Sequence, residues 1–176
     1  MAEATPEEGS RFTVLRAPDT ITVGLGAALP MFVIYEFPGP LANVTLGWDI
    51  HAHAQVVASA GAGALHLDGS RRYHGKLGAG VRGFPWRRGP LWGQLGFGLN
   101  GYVERTGIVL PERRVSATDL GAQLTADAAV GVAVCGWEVA VGFDFILVPT
   151  RYYTSYTGDE SLPNRGMAVA WIGRQL

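Results

Sequence analysis

The feature that most constrains this chain is an alternation of period two, with a bulky apolar residue on one phase and a small or polar residue on the other. Leu120 to Val134 shows it most clearly. Every even position there is apolar, while Gly121, Gln123, Thr125, Asp127, Ala129, Gly131 and Ala133 fill the odd ones. Successive side chains of a strand point to opposite faces, so the pattern predicts strands with two unlike faces. The run is also long for a soluble protein, whose strands usually have about five or six residues.

The same pattern recurs along the sequence. Ile21, Val23, Leu25, Ala27 and Leu29 stand against Thr20, Thr22, Gly24, Gly26 and Ala28. From Asn43 to Val56 an unbroken run sets Val44, Leu46, Trp48, Ile50, Ala52, Ala54 and Val56 against Thr45, Gly47, Asp49, His51, His53 and Gln55. Tyr73 to Phe84 places Leu77, Ala79 and Val81 opposite His74, Lys76, Gly78, Gly80 and Arg82. Leu91, Leu95, Phe97, Leu99 and Val103 oppose Trp92, Gln94, Gly96, Gly98, Asn100, Tyr102 and Glu104. Trp137, Val139, Val141, Phe143, Phe145 and Leu147 oppose Glu138, Ala140, Gly142 and Asp144. Two runs are less regular: Val57 to Leu67, rich in Ala, Ser and Gly and with no turn visible before it, and Gly166 to Leu176.

Between the runs, candidate long loops are Pro30 to Ala42, Arg105 to Ala117 and Pro149 to Asn164, with Asp68 to Arg72 of modest length. Short turns are expected at Pro85 to Gly89 and at Cys135-Gly136. Residues 1–10 are acidic and poor in large apolar groups, which reads as a disordered tail, and residues 11–176 read as a single domain.

Composition removes several classes. Apolar residues make up 48% of the chain and charged residues 16%, against about 25% charged in ordinary soluble domains. No segment offers the roughly 20 consecutive apolar residues of a membrane-spanning helix, and the 25 glycines would weaken helices. A net charge of -1 with dispersed arginines gives no footprint for nucleic acid. Lys76 is the only lysine, although soluble β-proteins place several on hydrated faces and edges. The lone Cys135 leaves no intramolecular disulfide. The opening MAEATPEEGS is not a secretory signal, so a removed leader is expected if the chain is exported.

A soluble barrel points its bulky face inward and hydrates the other, which should then be rich in Lys, Glu, Ser and Thr. Here the other face is mostly Gly and Ala with scattered charges. Such residues suit the crowded lumen of a narrow barrel and leave the bulky face to lipid. The expected fold is therefore all-β: a closed, antiparallel, up-and-down transmembrane barrel of about eight strands. Long and short connections alternate, as they do between the two sides of bacterial barrels. Trp86, Trp92, Trp137 and Trp171 are expected in an aromatic girdle at the short-turn end, with Tyr152, Tyr153 and Tyr156 at the opposite rim.

Through these runs and turns, from Thr20 to Leu176, the chain resembles the small outer-membrane barrels such as the OmpA-like and OmpX-like proteins. The resemblance is architectural. It implies a location in the outer membrane of a Gram-negative bacterium, contact with outer-membrane lipid, and an anchoring, scaffolding or partner-binding role. Members of that family commonly end in an aromatic residue, whereas this chain ends in Arg174-Gln175-Leu176. Either Leu176 takes that place or the assembly route differs.

Three constellations carry candidate chemistry. Asp49, His51 and His53 alternate on one strand face, a spacing open to a metal ion, but no carboxylate follows as in the cupin His-x-His strand, so a polar lumen lining is the preferred reading. Asp68, Ser70 and His74 hold the residue types of a hydrolase without the motifs of the outer-membrane lipid enzymes. The expected lumen network is Asp49, His51, His53, Lys76, Arg82, Glu104, Asp127, Glu138 and Asp144, with both signs present for pairing. Such a network would plug the bore. Arg113, Arg114, Arg151, Tyr152, Tyr153 and Tyr156 are the candidate contacts for a protein partner or lipid headgroups at the loops.

The leading expectation is thus a non-enzymatic outer-membrane anchor or scaffold without cofactor or metal. A soluble lipocalin-like carrier of an apolar ligand is the alternative, and an outer-membrane lipid-modifying enzyme the third reading.

Overall fold

A computed structural model describes residues 17–31, 38–67, 70–87, 89–109, 114–147 and 166–176. The alternating runs become eight strands: β1 (Thr20–Met31), β2 (Gly39–His51), β3 (Ala54–Leu67), β4 (Ser70–Gly83), β5 (Leu91–Val109), β6 (Arg114–Val134), β7 (Trp137–Ile146) and β8 (Gly166–Gln175). Each pairs antiparallel with its sequence neighbours, and β8 pairs with β1 to close the barrel. Closure leaves no sheet edge along the paired rows, so backbone donors and acceptors are satisfied within the wall.

The register fixes the geometry. A circuit from Thr20 runs through Gly47, Val57, Gly80, Gly96, Asp127, Asp144 and Met167 and returns to β1 at Pro30. This ten-residue displacement goes with strands tilted by about 35–45° to the barrel axis. With eight strands, the interior is only wide enough for side chains to fill.

The two faces separate as the alternation requires. Leu25, Leu77, Leu95, Phe97, Leu120 and Phe145 are exposed on the outside, whereas Gln55, Arg82, Asn100, Gln123, Glu138 and Asp144 are buried inside. Leu124, Val132, Val139 and Val141 are likewise exposed. Phe143 shares their phase and is partly covered, edge-on to Phe145 at 4.6 Å. On β5 the apolar outer phase runs from Leu91 to Val103; at ~3.4 Å per residue and a tilt near 40° it covers about 30 Å of axis, the thickness of a bilayer core.

Several sequence expectations need correction. The run from Asn43 to Val56 is two strands, with a turn at Ala52-His53 and a register shift between Asp49 and His51. The long loops at Pro30 to Ala42 and Arg105 to Ala117 are partly strand: β1 continues to Met31, β2 starts at Gly39, β5 continues to Val109 and β6 starts at Arg114. β4 likewise begins at Ser70, inside the loop expected from Asp68. Pro149 to Asn164 and residues 1–10 lie outside the described residues. The Cys135-Gly136 turn is as expected, with φ of 53° and 78°, the left-handed pair that a two-residue hairpin turn demands.

Candidate functional site: the barrel interior

The interior is a stack of polar layers. At the short-turn end, Gln55 Nε2 donates to Asp49 Oδ1 at 2.8 Å, and the Asp49 backbone N–H donates to Asp19 Oδ2 at 2.8 Å. Of the expected lumen set, His51 and His53 are exposed at the turn. His51 Nδ1 accepts from the His53 backbone N–H at 3.3 Å, and His53 Nδ1 lies 3.0 Å from the Phe84 carbonyl oxygen. The hairpin leaves both rings at the short-turn mouth, where His51 lines the same opening as Asp49, Gln55, Arg82 and Trp92. Among the described residues no group of three His, Cys, Asp or Glu side chains is arranged to hold a metal.

Above this lies a layer of paired charges. Arg82 grips Glu138 with two hydrogen bonds of 2.9 and 3.3 Å, and its Nε donates to Gln94 Oε1 at 3.3 Å. The guanidinium lies 3.9 Å from the Trp92 ring centre, and Trp92 leans on Trp171 at 6.3 Å. Glu138 is fully buried and Arg82 is 3% exposed, so each charge depends on the other for its solvation. Trp92 and Trp171 are therefore inside the barrel rather than in the girdle. Trp86 and Trp137 are exposed outside at the short-turn end. The smallness of Gly131 makes this possible, since a Cβ there would meet the Trp92 ring.

In the middle, Lys76 reaches across the lumen from β4 to β6 and β7. Its Nζ lies 2.6 Å from Asp144 Oδ1 and 3.2 Å from Asp127 Oδ2. Asp127 and Asp144 are cross-strand partners, so the ammonium screens two carboxylates that would otherwise face each other. Glycines again clear the space: a Cβ at Gly96 would come within 2.9 Å of Asp127 Oδ1, and one at Gly98 within 2.6 Å of Lys76 Cε. Beside this layer a cavity of about 80 Å³ is lined in part by Asn43, Thr45, Ser59, His74, Met167 and Trp171.

Toward the loop end, Arg72 stacks over Tyr102 at 5.0 Å, and Ala28, Leu65 and Met167 form a small apolar cluster with Val169 against it. Glu104 stands opposite Arg72 in the register, but its side chain lies outside the described ones. His74 is buried inside the wall. Asp68 is outside the described residues, and the side chain of Ser70 is not among those described. Arg113, Arg151, Tyr152, Tyr153 and Tyr156 also lie outside the described residues, while Arg114 opens β6 without a described side chain. Sequence reasoning passed over Gln55, Gln94 and Trp92 as network members. Their inner-face phase was the available signal.

Solved structures share this architecture. The barrel resembles the N-terminal β-barrel domain of Pseudomonas aeruginosa OprF with a TM-score of 0.55 at 11% identity, covering 92% of this chain and 100% of that one. It resembles Neisserial surface protein A at 0.54 and 11%, covering 89% and 95%. It also resembles Ail, the attachment invasion locus protein of Yersinia pestis, at 0.52 and 11%, covering 92% and 100%. The fold is that of the small outer-membrane barrels. No family model matches the chain, and no curated protein matches it by sequence.

Proposed function

We propose that this chain is an integral barrel of the bacterial outer membrane that anchors, scaffolds or binds a partner at its loop end. Paired side chains close its lumen. One observation carries the reading. Among the described side chains, no charged group stands on the outer face between Arg71 and Arg105 near the loop end and Arg174 at the short-turn end. Water offers nothing to such a band; lipid does. A soluble carrier would hold Val139, Val141 and Phe145 inside with its ligand, and they are exposed outside.

The lumen supports a structural role better than a general pore, since the Arg82–Glu138 layer and the Lys76 layer each span it with bonded charges. Nothing in the buried position of His74 favours an enzyme, and Ser70→Ala and His74→Ala are expected to leave host lipid composition unchanged. Ail has also been solved with the heparin analogue sucrose octasulfate. The arginines Arg113, Arg114 and Arg151 give this chain a comparable leaning toward an anionic partner, beside the tyrosines Tyr152, Tyr153 and Tyr156.

Withdrawal of detergent tests the membrane reading. The chain is expected to precipitate unless bilayer is supplied. A monodisperse monomer in plain buffer would overturn the reading in favour of the soluble carrier.

A further inference from the structure

Arg71 on β4 and Arg105 on β5 are direct cross-strand partners, and both are exposed on the outer face. Cβ atoms of such partners lie about 4.5–5.5 Å apart, and like charges so placed repel. Among the described residues neither guanidinium has an ion-pair partner. Two arginines side by side are a poor arrangement for the wall alone and a good one for a shared anion.

The rows beneath them have a definite relief. Next in register stand Tyr73, Val103 and Leu120; then Gly75, Gly101 and Ala122; then Leu77, Leu99 and Leu124. An open hollow of about 600 Å³ on the wall is lined by Tyr73, Val103 and Leu120 of the upper bulky row and by Gly75 and Gly101 of the small row. A Cβ at Gly75 would find its nearest neighbour at 3.8 Å and one at Gly101 at 4.0 Å, so nothing of the protein fills the space. Four residues separate the arginine row from the glycine row, about 13 Å along the strand. That is headgroup height above and hydrocarbon depth below.

We infer that this outer surface of β4, β5 and β6 binds one lipid with a phosphate headgroup, held by Arg71 and Arg105, with an acyl chain in the hollow floored by Gly75 and Gly101. The inference rests on the membrane reading above. A phosphate carries several acceptor oxygens and negative charge, and the planar guanidinium matches it with paired donors. One phosphate between the two side chains replaces their repulsion with attraction to both. At the opposite rim Arg174 is positioned differently, over the Trp137 ring at 5.6 Å, and has no arginine opposite it, since it pairs with Trp137 and Val23.

The test uses the full chain inserted into phosphatidylcholine vesicles containing a minor share of phosphatidic acid. Insertion is read by co-flotation, and retained lipid by native mass spectrometry after mild extraction. Phosphatidic acid is expected to be retained about tenfold over phosphatidylcholine, given two cationic contacts near the membrane surface. Arg71→Gln and Arg105→Gln should each remove most of that preference. Gly101→Leu, which has room to fold, should lower retention of the long-chain lipid, and Arg174→Gln should change nothing. Excess inorganic phosphate should fail to displace the lipid. Equal retention of the two lipids by an inserted wild type overturns this inference and leaves the membrane reading standing. Displacement by inorganic phosphate alone overturns it in favour of a simple anion site. A chain that does not float with the vesicles defeats the membrane reading itself.

Discussion

On the inner side of β7, Glu138 and Asp144 are buried against Arg82 and Lys76; one residue further along, on the outer side, Val139 and Phe145 are more than half exposed. The same ten-residue strand thus carries its charges where soluble proteins keep apolar groups, and its apolar groups where they keep charges. The contrast teaches which energy term governs each face. Inside, the charges are buried in a narrow bore and each is best placed beside a counter-charge. Outside, a side chain needs no partner, only the absence of polarity.

The largest effect that could break the comparison lies inside. Glu138→Ala leaves the Arg82 guanidinium buried without its carboxylate and is expected to cost about 3–5 kcal/mol, measured by urea unfolding in lipid vesicles. The double variant Arg82→Met with Glu138→Met should recover most of that loss; no recovery would mean that packing, not charge, holds the layer. The outer counterpart comes next. Val141→Arg places a charge on the exposed face at mid-band and should cost roughly 2–4 kcal/mol and impair insertion, whereas Val141→Ala should be nearly silent.

Lys76→Met comes third. It leaves Asp127 and Asp144 facing each other with less burial than Glu138 has, so about 1–3 kcal/mol is expected. The smallest effect sharpens the picture by being nearly absent: raising salt should hardly change the stability of the wild type in vesicles, because buried ion pairs are poorly screened. A stability that falls steeply with salt would put those pairs in water.

How much of this was legible beforehand follows from parity. The hairpin between β6 and β7 shifts the outward phase from even to odd residues, as Val134 and Trp137 show, so Cys135-Gly136 reads as a break. Between β2 and β3 the outward phase stays even, from Ile50 to Val56, and the alternation runs through the Ala52-His53 turn without a mark. For that reason His51 and His53 read as interior positions of one strand, whereas they flank and form the turn. The long β5–β6 hairpin was cut short at Arg105 for another: a charge ends an apolar band but not a strand. Thr106, Ile108 and Val115 retain the β-preferring character that continues the ladder. Trp92 was open to two readings, inner by phase and girdle by depth, and the room left by Gly131 favours the first.

The central claim is that the outer phase meets lipid, and a depth measurement at one position tests it most directly. A nitroxide attached to Cys at position 141, in a chain whose exposed Cys135 has been changed to serine, reports collisions with oxygen and with a water-soluble nickel complex. In bilayers, high oxygen and negligible nickel accessibility is expected at Val141→Cys, and the reverse at an added Cys in place of Trp86 near the short-turn rim. Free access of nickel to position 141 in the reconstituted chain would contradict the claim.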